Sequence, residues 1–166
     1  MREKSNYSSY RGQFFSNVGC TILIHVLMTV LGALGVILGS TFQDFAFIAI
    51  FFVLAVIGYP LFGYLVLRVL PKNNLLSVFI LTLLLAVASI ILIIVSVPSD
   101  SALGLLSFAN FPAYMITTML IGFDGIIDFA HAEYLAFFVA AFIPSPLMYL
   151  GLRLRMHRES RQASAA

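Results

Sequence analysis

The sequence carries little charge. Only 10% of its 166 residues are Asp, Glu, Lys or Arg, whereas 61% are hydrophobic, and the mean hydropathy is +1.05. A soluble domain of this size needs a more highly charged surface. Strand-like alternation of polar and apolar residues is also missing, which argues against a membrane β-barrel. We therefore expect an all-α integral membrane protein whose 166 residues form a single membrane domain without a soluble enzymatic module.

Four apolar runs predict the transmembrane helices. They cover about 18–41, 45–70, 75–97 and 131–152, and each is close to the roughly 20 residues that cross a hydrocarbon core. Short links at 41–44 and 71–74 favour antiparallel hairpins. These runs predict a four-transmembrane-helix bundle. Pro144-Ser145-Pro146 predicts a break in the last span near its inner end.

Positive charge is absent from one predicted side of the membrane. Because Lys and Arg are retained in the cytoplasm, residues 1–16 are predicted to be a cytoplasmic segment and 153–166 a basic cytoplasmic tail. All nine Lys and Arg then lie inside. The outer side carries only acidic residues, namely Asp44, Asp100, Asp124, Asp128 and Glu133. This pattern predicts a multi-pass plasma-membrane protein, of bacterial type, with both termini cytoplasmic.

The segment 101–123 is long enough to cross the bilayer, but charge argues against it. A crossing would move the four arginines of the tail outside and split the Lys and Arg five to four. Asn110-Phe111-Pro112 divides the segment into two pieces of about 10 residues, each roughly half a bilayer long. We expect an extracytoplasmic loop, 98–130, that contains a re-entrant or interfacial helical segment.

Two terminal segments carry further expectations. Tyr7, Tyr10, Phe14 and Phe15 recur at helical spacing, which favours either a short amphipathic helix on the inner headgroups or a frayed tail with aromatic anchors. The C-terminal RQASAA is typical of disorder.

Ionisable residues are scarce inside the predicted spans. Cys20 is the only cysteine, so an internal disulfide is impossible. His25 is the one strongly ionisable residue well inside a span, and it is a candidate functional residue for that reason. Its cost of burial is reduced if Thr21 or Thr29, one turn away, shares a hydrogen bond.

Small residues in the first span predict close helix packing. Gly35 and Gly39 form a Gly-x-x-x-Gly pair, which lets another backbone approach. The pair serves either as a dimer face or as a contact within one bundle.

The best candidate binding site is Asp124, Asp128 and His131. Their i, i+4, i+7 spacing places them within about 60° of one another on a helix. Two carboxylates and an imidazole can hold a divalent cation or another cationic group. The alternative is structural, since Asp124 would cap the helix and Asp128 would favour the positive end of its dipole.

Motifs for hydrolytic chemistry, such as His-Glu-x-x-His, are absent, and we do not expect an enzyme or a resident cofactor. The acidic outer face suits a partner membrane protein or a cationic, amphipathic ligand in an accessory, sensory or immunity-type role. The alternative is a subunit of an oligomeric small-solute or ion transporter or channel. Nothing indicates nucleic-acid binding.

Overall fold

A computed structural model describes residues 2–96 and 141–165, and this part of the chain is helical apart from its turns. Its helices are α1 (Arg2–Phe42), α2 (Phe45–Val66), α3 (Asn74–Ser96) and α4 (Pro144–Ala165). Three stretches are long and apolar enough to cross a membrane: Tyr10–Phe42, Ala46–Val66 and Asn74–Ile91. The prediction of an all-helical chain is therefore confirmed for the described residues, and these three helices are compatible with a membrane-embedded protein. The loop at 98–130 and residues 131–140 of the fourth predicted span lie outside the described residues.

The fourth helix differs from the other three. It begins at Pro144 after a turn at 141–143, so the chain is not helical just before the Pro144-Ser145-Pro146 sequence at which a break was predicted. Four arginines follow within α4, so its described part is not apolar enough to be a span by itself. Within the predicted span 131–152, the structure describes a helix over 144–152.

The two terminal segments are more regular than the sequence suggested. Helix α1 is one helix of 41 residues, about 60 Å long and roughly twice the thickness of a hydrocarbon core. Residues 2–16 are therefore helical rather than frayed, but their helix continues directly into the first apolar run and is not a separate one. The prediction of a disordered C-terminal tail is also wrong, since α4 continues to Ala165 and carries an Arg155–Glu159 pair at i, i+4.

The second span is shorter than predicted. Helix α2 ends at Val66 rather than at residue 70, and Leu67 has an extended backbone with φ −71° and ψ 139°. Residues 67–70 are not helical. The chain then turns through Asn73, whose φ of 60° is a left-handed conformation that asparagine tolerates.

The helices pack in a ring. Helix α1 contacts α2 and α3, and α4 contacts the same two helices from the other side. The buried core lies between them and includes Met28, Tyr59, Val78, Met148 and Leu152. Large apolar side chains also cover the outside, where Leu23 and Leu83 are more than 60% exposed. Such a surface is compatible with contact with lipid.

Glycine allows the closest contact, between α2 and α4. A β-carbon on Gly63 would collide with the backbone of Met148, and one on Gly151 would collide with the carbonyl of Pro60. The Gly151 β-carbon would also lie 2.8 Å from the amide nitrogen of Tyr64. The two helix backbones therefore touch directly at this crossing.

Gly35 and Gly39 face α2 of the same chain. A β-carbon on Gly35 would lie 2.5 Å from Cβ of Phe51, and one on Gly39 would lie 2.5 Å from Cγ1 of Ile48. Of the two sequence-based interpretations, contact within one bundle matches this geometry. The pair is already covered by its own chain and does not present an open dimer face.

This arrangement predicts a rescue experiment at Gly39. Gly39→Ala should lower the free energy of unfolding by about 1–2 kcal/mol through overpacking against Ile48. Adding Ile48→Ala removes the colliding Cγ1 atom, so the double variant should be less destabilised than the sum of the two single variants. Unfolding in mixed micelles with increasing dodecyl sulfate measures all four proteins. Strict additivity, together with loss of a detergent-stable oligomer in Gly39→Ala, would instead indicate a dimer face.

Candidate functional site

The sequence-predicted outer cluster cannot be placed. Asp124, Asp128 and His131 lie outside the described residues. Asp44, the acidic residue expected on the same side, is described and has a structural role. Its carboxylate accepts a 2.8 Å hydrogen bond from the backbone N–H of Ala46 and caps α2.

His25 is buried within the bundle and is bonded to a second helix. Its Nδ1 lies 2.9 Å from the hydroxyl of Tyr59 on α2, and the two rings are stacked. The exposed fractions are 5% for His25 and 1% for Tyr59. Thr29 donates its hydroxyl to the backbone carbonyl of His25, whereas Thr21 donates to Val18. Tyr59, rather than a neighbouring threonine, is therefore a partner of the imidazole.

A second polar side chain lies at a similar depth on α3. Thr82 is 6% exposed, and its hydroxyl has no hydrogen-bond partner among residues 2–96 and 141–165. His25 follows Asn17 by eight residues, and Thr82 follows Asn74 by the same number, or about 12 Å along each helix. The break that precedes α4 is held to the same helix, because Ser145 donates its hydroxyl to the carbonyl of Val78 at 3.2 Å. Polar groups of all four helices thus enter the core toward the end of the bundle where Asn17 and Asn74 lie.

The buried hydroxyl of Thr82 predicts a substitution that should stabilise the protein. Thr82→Val keeps the shape and removes a buried donor without a partner, so it should raise the free energy of unfolding by about 1 kcal/mol. Thr82→Ser, which keeps the hydroxyl and loses a methyl group, is the control and should be destabilising. Both can be measured by thermal melting in detergent. A loss of stability in Thr82→Val would show that the hydroxyl makes a favourable contact in the protein.

Asn17 connects α1 to the chain just after α2. Its side-chain amide donates to the carbonyl of Arg68 at 2.8 Å and accepts from the amide of Arg68 at 3.0 Å. Asn74 makes the same two-point contact with Leu70, at 2.7 Å in both directions. Non-helical backbone lacks the internal hydrogen bonds of a helix, so these amides replace them. They explain why α2 can end four residues early.

Arg155 adds a contact from α4. Its guanidinium donates to the carbonyl of Leu67 at 2.9 Å and to Glu159 at 2.9 Å. Carbonyls at the end of a helix have no partner within it, and a cation there is favourable. We call the contacts of Asn17, Asn74 and Arg155 with the backbone of residues 67–70 the α2-end network.

Two shallow grooves lie beside this network. One, of about 270 Å³, is bordered by the end of α2 and by α4, and the other, of about 320 Å³, lies along α4. They share Arg158 and Gln162. Arg158 donates to the hydroxyl of Tyr64 at 2.6 Å, and this hydrogen bond raises the pKa of Arg158 above its usual value. The guanidinium therefore stays cationic.

Across residues 2–96 and 141–165, no group of three or more His, Cys, Asp and Glu side chains is arranged to hold a metal ion. No family model, no curated protein and no solved structure matches this chain.

Sequence reasoning missed Tyr59, Asn17 and Arg155. Tyr59 carried a weak signal, since it is a polar-tipped residue between Gly58 and Pro60 in an apolar run. The other two stand at the ends of spans, where polar residues are common, and only the packing shows what they bind.

Proposed function

We propose that this chain is a non-enzymatic integral membrane protein that binds a partner membrane protein or a cationic, amphipathic ligand at an acidic outer face. One observation carries the proposal. The described basic residues lie together at one end of the bundle, whereas Asp44 lies at the other end between α1 and α2. Three contacts bring the basic segments together: Tyr10 to Lys72, Asn17 to Arg68 and Arg155 to Leu67.

The charges assigned to the Asp44 end are all negative, which supports a recognition surface there, whereas the other end carries Glu3 and Glu159 as well as the basic residues. Asp100, Asp124, Asp128 and Glu133 belong to the connection that follows α3, whose last residue is Ser96 at the same end as Asp44. Carboxylates without neighbouring lysine or arginine attract a cationic partner and discriminate against anionic ones. The proposed orientation, with both termini cytoplasmic, places these carboxylates outside the cell.

A binding experiment tests the proposal. The full chain is placed in nanodiscs of neutral phosphatidylcholine, and the probe is a synthetic amphipathic helix made of lysine and leucine. Asp124→Asn combined with Asp128→Asn should weaken binding about tenfold at low salt, and added salt should reduce the difference. The probe tests the cationic-ligand form of the proposal.

Glu159→Gln is the matched control, because it also removes a carboxylate but lies at the basic end of the bundle. Its affinity for the probe should be unchanged. Equal binding by all variants, or an equal loss in the control, would mean that the probe does not recognise the acidic outer face.

The proposed orientation makes a separate prediction. In a Cys20→Ala background, Ser99→Cys and Asp128→Cys should both react with a membrane-impermeant thiol reagent in intact cells. Ser164→Cys, at the end of α4, should react only after lysis, because the positive-inside bias retains the basic helix in the cytoplasm. Protection of Asp128→Cys together with labelling of Ser164→Cys would contradict the four-span topology.

A subunit of an oligomeric transporter or channel is the second candidate. The observation that favours it is the buried polar layer of His25, Tyr59 and Thr82, since polar residues inside a membrane bundle often mark solute or proton pathways. The chain reconstituted into liposomes should then carry a proton or small-ion flux that Tyr59→Phe reduces. If the folded chain in liposomes carries no proton or small-ion flux, the result would favour the partner-binding function.

A further inference from the structure

We propose that the two grooves around Arg158 form a binding site for an anionic glycerophospholipid of the inner leaflet. Here the phosphate lies against Arg158 and Arg161 while the acyl chains follow the apolar surfaces of α2 and α4. This site is at the opposite end of the bundle from the acidic face, and it does not depend on the function proposed there.

The surface of α4 changes from apolar to cationic over a distance similar to that between the acyl chains and the phosphate of a lipid. On α4, Leu150 and Leu154 are half-exposed, at 50% and 56%, and they occupy successive turns above Arg158. Leu154 and Arg158 are four residues apart, or about 6 Å along the axis. Leu65, on α2, is 59% exposed and borders the groove on the other side of Arg158. When the acyl chains cover these leucines, the headgroup phosphate lies at the level of the Arg158 guanidinium.

The cations in the grooves are available to an anion. Glu159 is paired with Arg155 at 2.9 Å, so the negative charge of Glu159 is largely compensated. Arg158 is held by an uncharged partner, the hydroxyl of Tyr64, and its guanidinium has further N–H groups. His157, Arg161 and Gln162 line the adjoining groove and add donors. Arginine binds phosphate oxygens through two parallel hydrogen bonds, so it is well suited to this ligand.

The phosphate end alone would not explain the site. A free anion needs only the guanidinium groups, whereas a lipid also needs the leucines that continue directly from them. Each groove holds one of these leucines, Leu65 in the first and Leu154 in the second. The exposed apolar surface and the cationic grooves are therefore continuous along the helix axis. This continuity commits the site to a lipid.

The test uses the purified full chain in a neutral detergent, with dioleoylphosphatidylglycerol as the probe and native mass spectrometry as the readout. Phosphatidylglycerol should be retained at least about tenfold more strongly than dioleoylphosphatidylcholine. Arg158→Gln combined with Arg161→Gln should abolish this preference. Arg161→Gln alone should weaken it, and because the Arg161 side chain lies in the groove on an exposed helix, this variant does not disturb packing.

Arg153→Gln is the matched control. It removes the same charge from the same helix, but Arg153 is exposed and points about 140° away from Arg158. It should keep the lipid preference within about twofold. Equal retention of the two lipids by the unmodified chain, or an equal loss in Arg153→Gln, would overturn the proposal. Displacement of the lipid by millimolar inorganic phosphate would also overturn it, because that result describes a site for a free anion.

Discussion

Gly151→Ala should prevent α4 from packing on α2. The added β-carbon would collide with the carbonyl of Pro60 and lie 2.8 Å from the amide nitrogen of Tyr64. Both obstacles are backbone atoms, so no side-chain rotation relieves the overlap. We expect a loss of more than about 3 kcal/mol in the free energy of unfolding, at or beyond the upper end for overpacked sites. The measurement is unfolding in mixed micelles, with size-exclusion chromatography to detect chains that never fold.

Gly19→Ala is the matched control for this experiment. Gly19 is also a helical glycine, but a β-carbon there would meet nothing within 4 Å. Because alanine loses less conformational entropy than glycine in a helix, the control should be neutral or more stable by about 0.5–1 kcal/mol. Similar stability of the Gly151 and Gly19 variants would contradict a direct backbone contact between α2 and α4.

Asn17→Leu should have the next largest effect. Leucine has a similar size but neither donates nor accepts, so the amide and the carbonyl of Arg68 lose their partners at 3.0 and 2.8 Å. We expect a loss of about 2 kcal/mol, since the two groups are only partly buried and water replaces some of the contact. Equilibrium unfolding gives the loss, and amide hydrogen exchange at residues 67–70 should rise.

Two further variants show whether the loss comes from the hydrogen bonds. Ser16→Leu adds the same side chain at an exposed neighbouring position of α1 and should leave stability almost unchanged. Asn17→Asp keeps one acceptor but places a carboxylate oxygen opposite the carbonyl of Arg68, so it should be unstable at neutral pH. Its stability should recover as the pH falls, because a protonated carboxyl group again donates. An Asn17→Asp variant whose stability does not depend on pH would exclude the two-point contact.

The three helical spans could be predicted from the sequence because each depends on local composition. An apolar run of about 20 residues becomes a helix in lipid, where the backbone must satisfy its own hydrogen bonds. Helix α3 therefore matches the predicted 75–97 within a residue at each end. The effect of proline is equally local, and α4 begins at Pro144, the first residue of the Pro144-Ser145-Pro146 sequence at which a break was predicted.

The end of α2 could not be predicted from local composition. Residues 67–70, Leu-Arg-Val-Leu, have no helix breaker of their own and continue an apolar run. They leave the helix because Asn17, Asn74 and Arg155 supply the hydrogen bonds that the helix would otherwise provide. Those three side chains come from three different helices, and their contacts span up to 88 residues of sequence. No local sequence pattern predicts these contacts.

Composition by itself was enough to predict a helical chain and the positions of three helices that are long and apolar enough to cross a membrane. These properties follow from the transfer of single residues between water, headgroups and lipid, which depends little on their neighbours. The tertiary structure alone decided three further points: that Gly35 and Gly39 face the same chain, that Tyr59 bonds His25, and that Arg158 lies between two grooves. Each depends on how residues of different helices pack, and the physical reason is that packing geometry, rather than solvent preference, determines the partner.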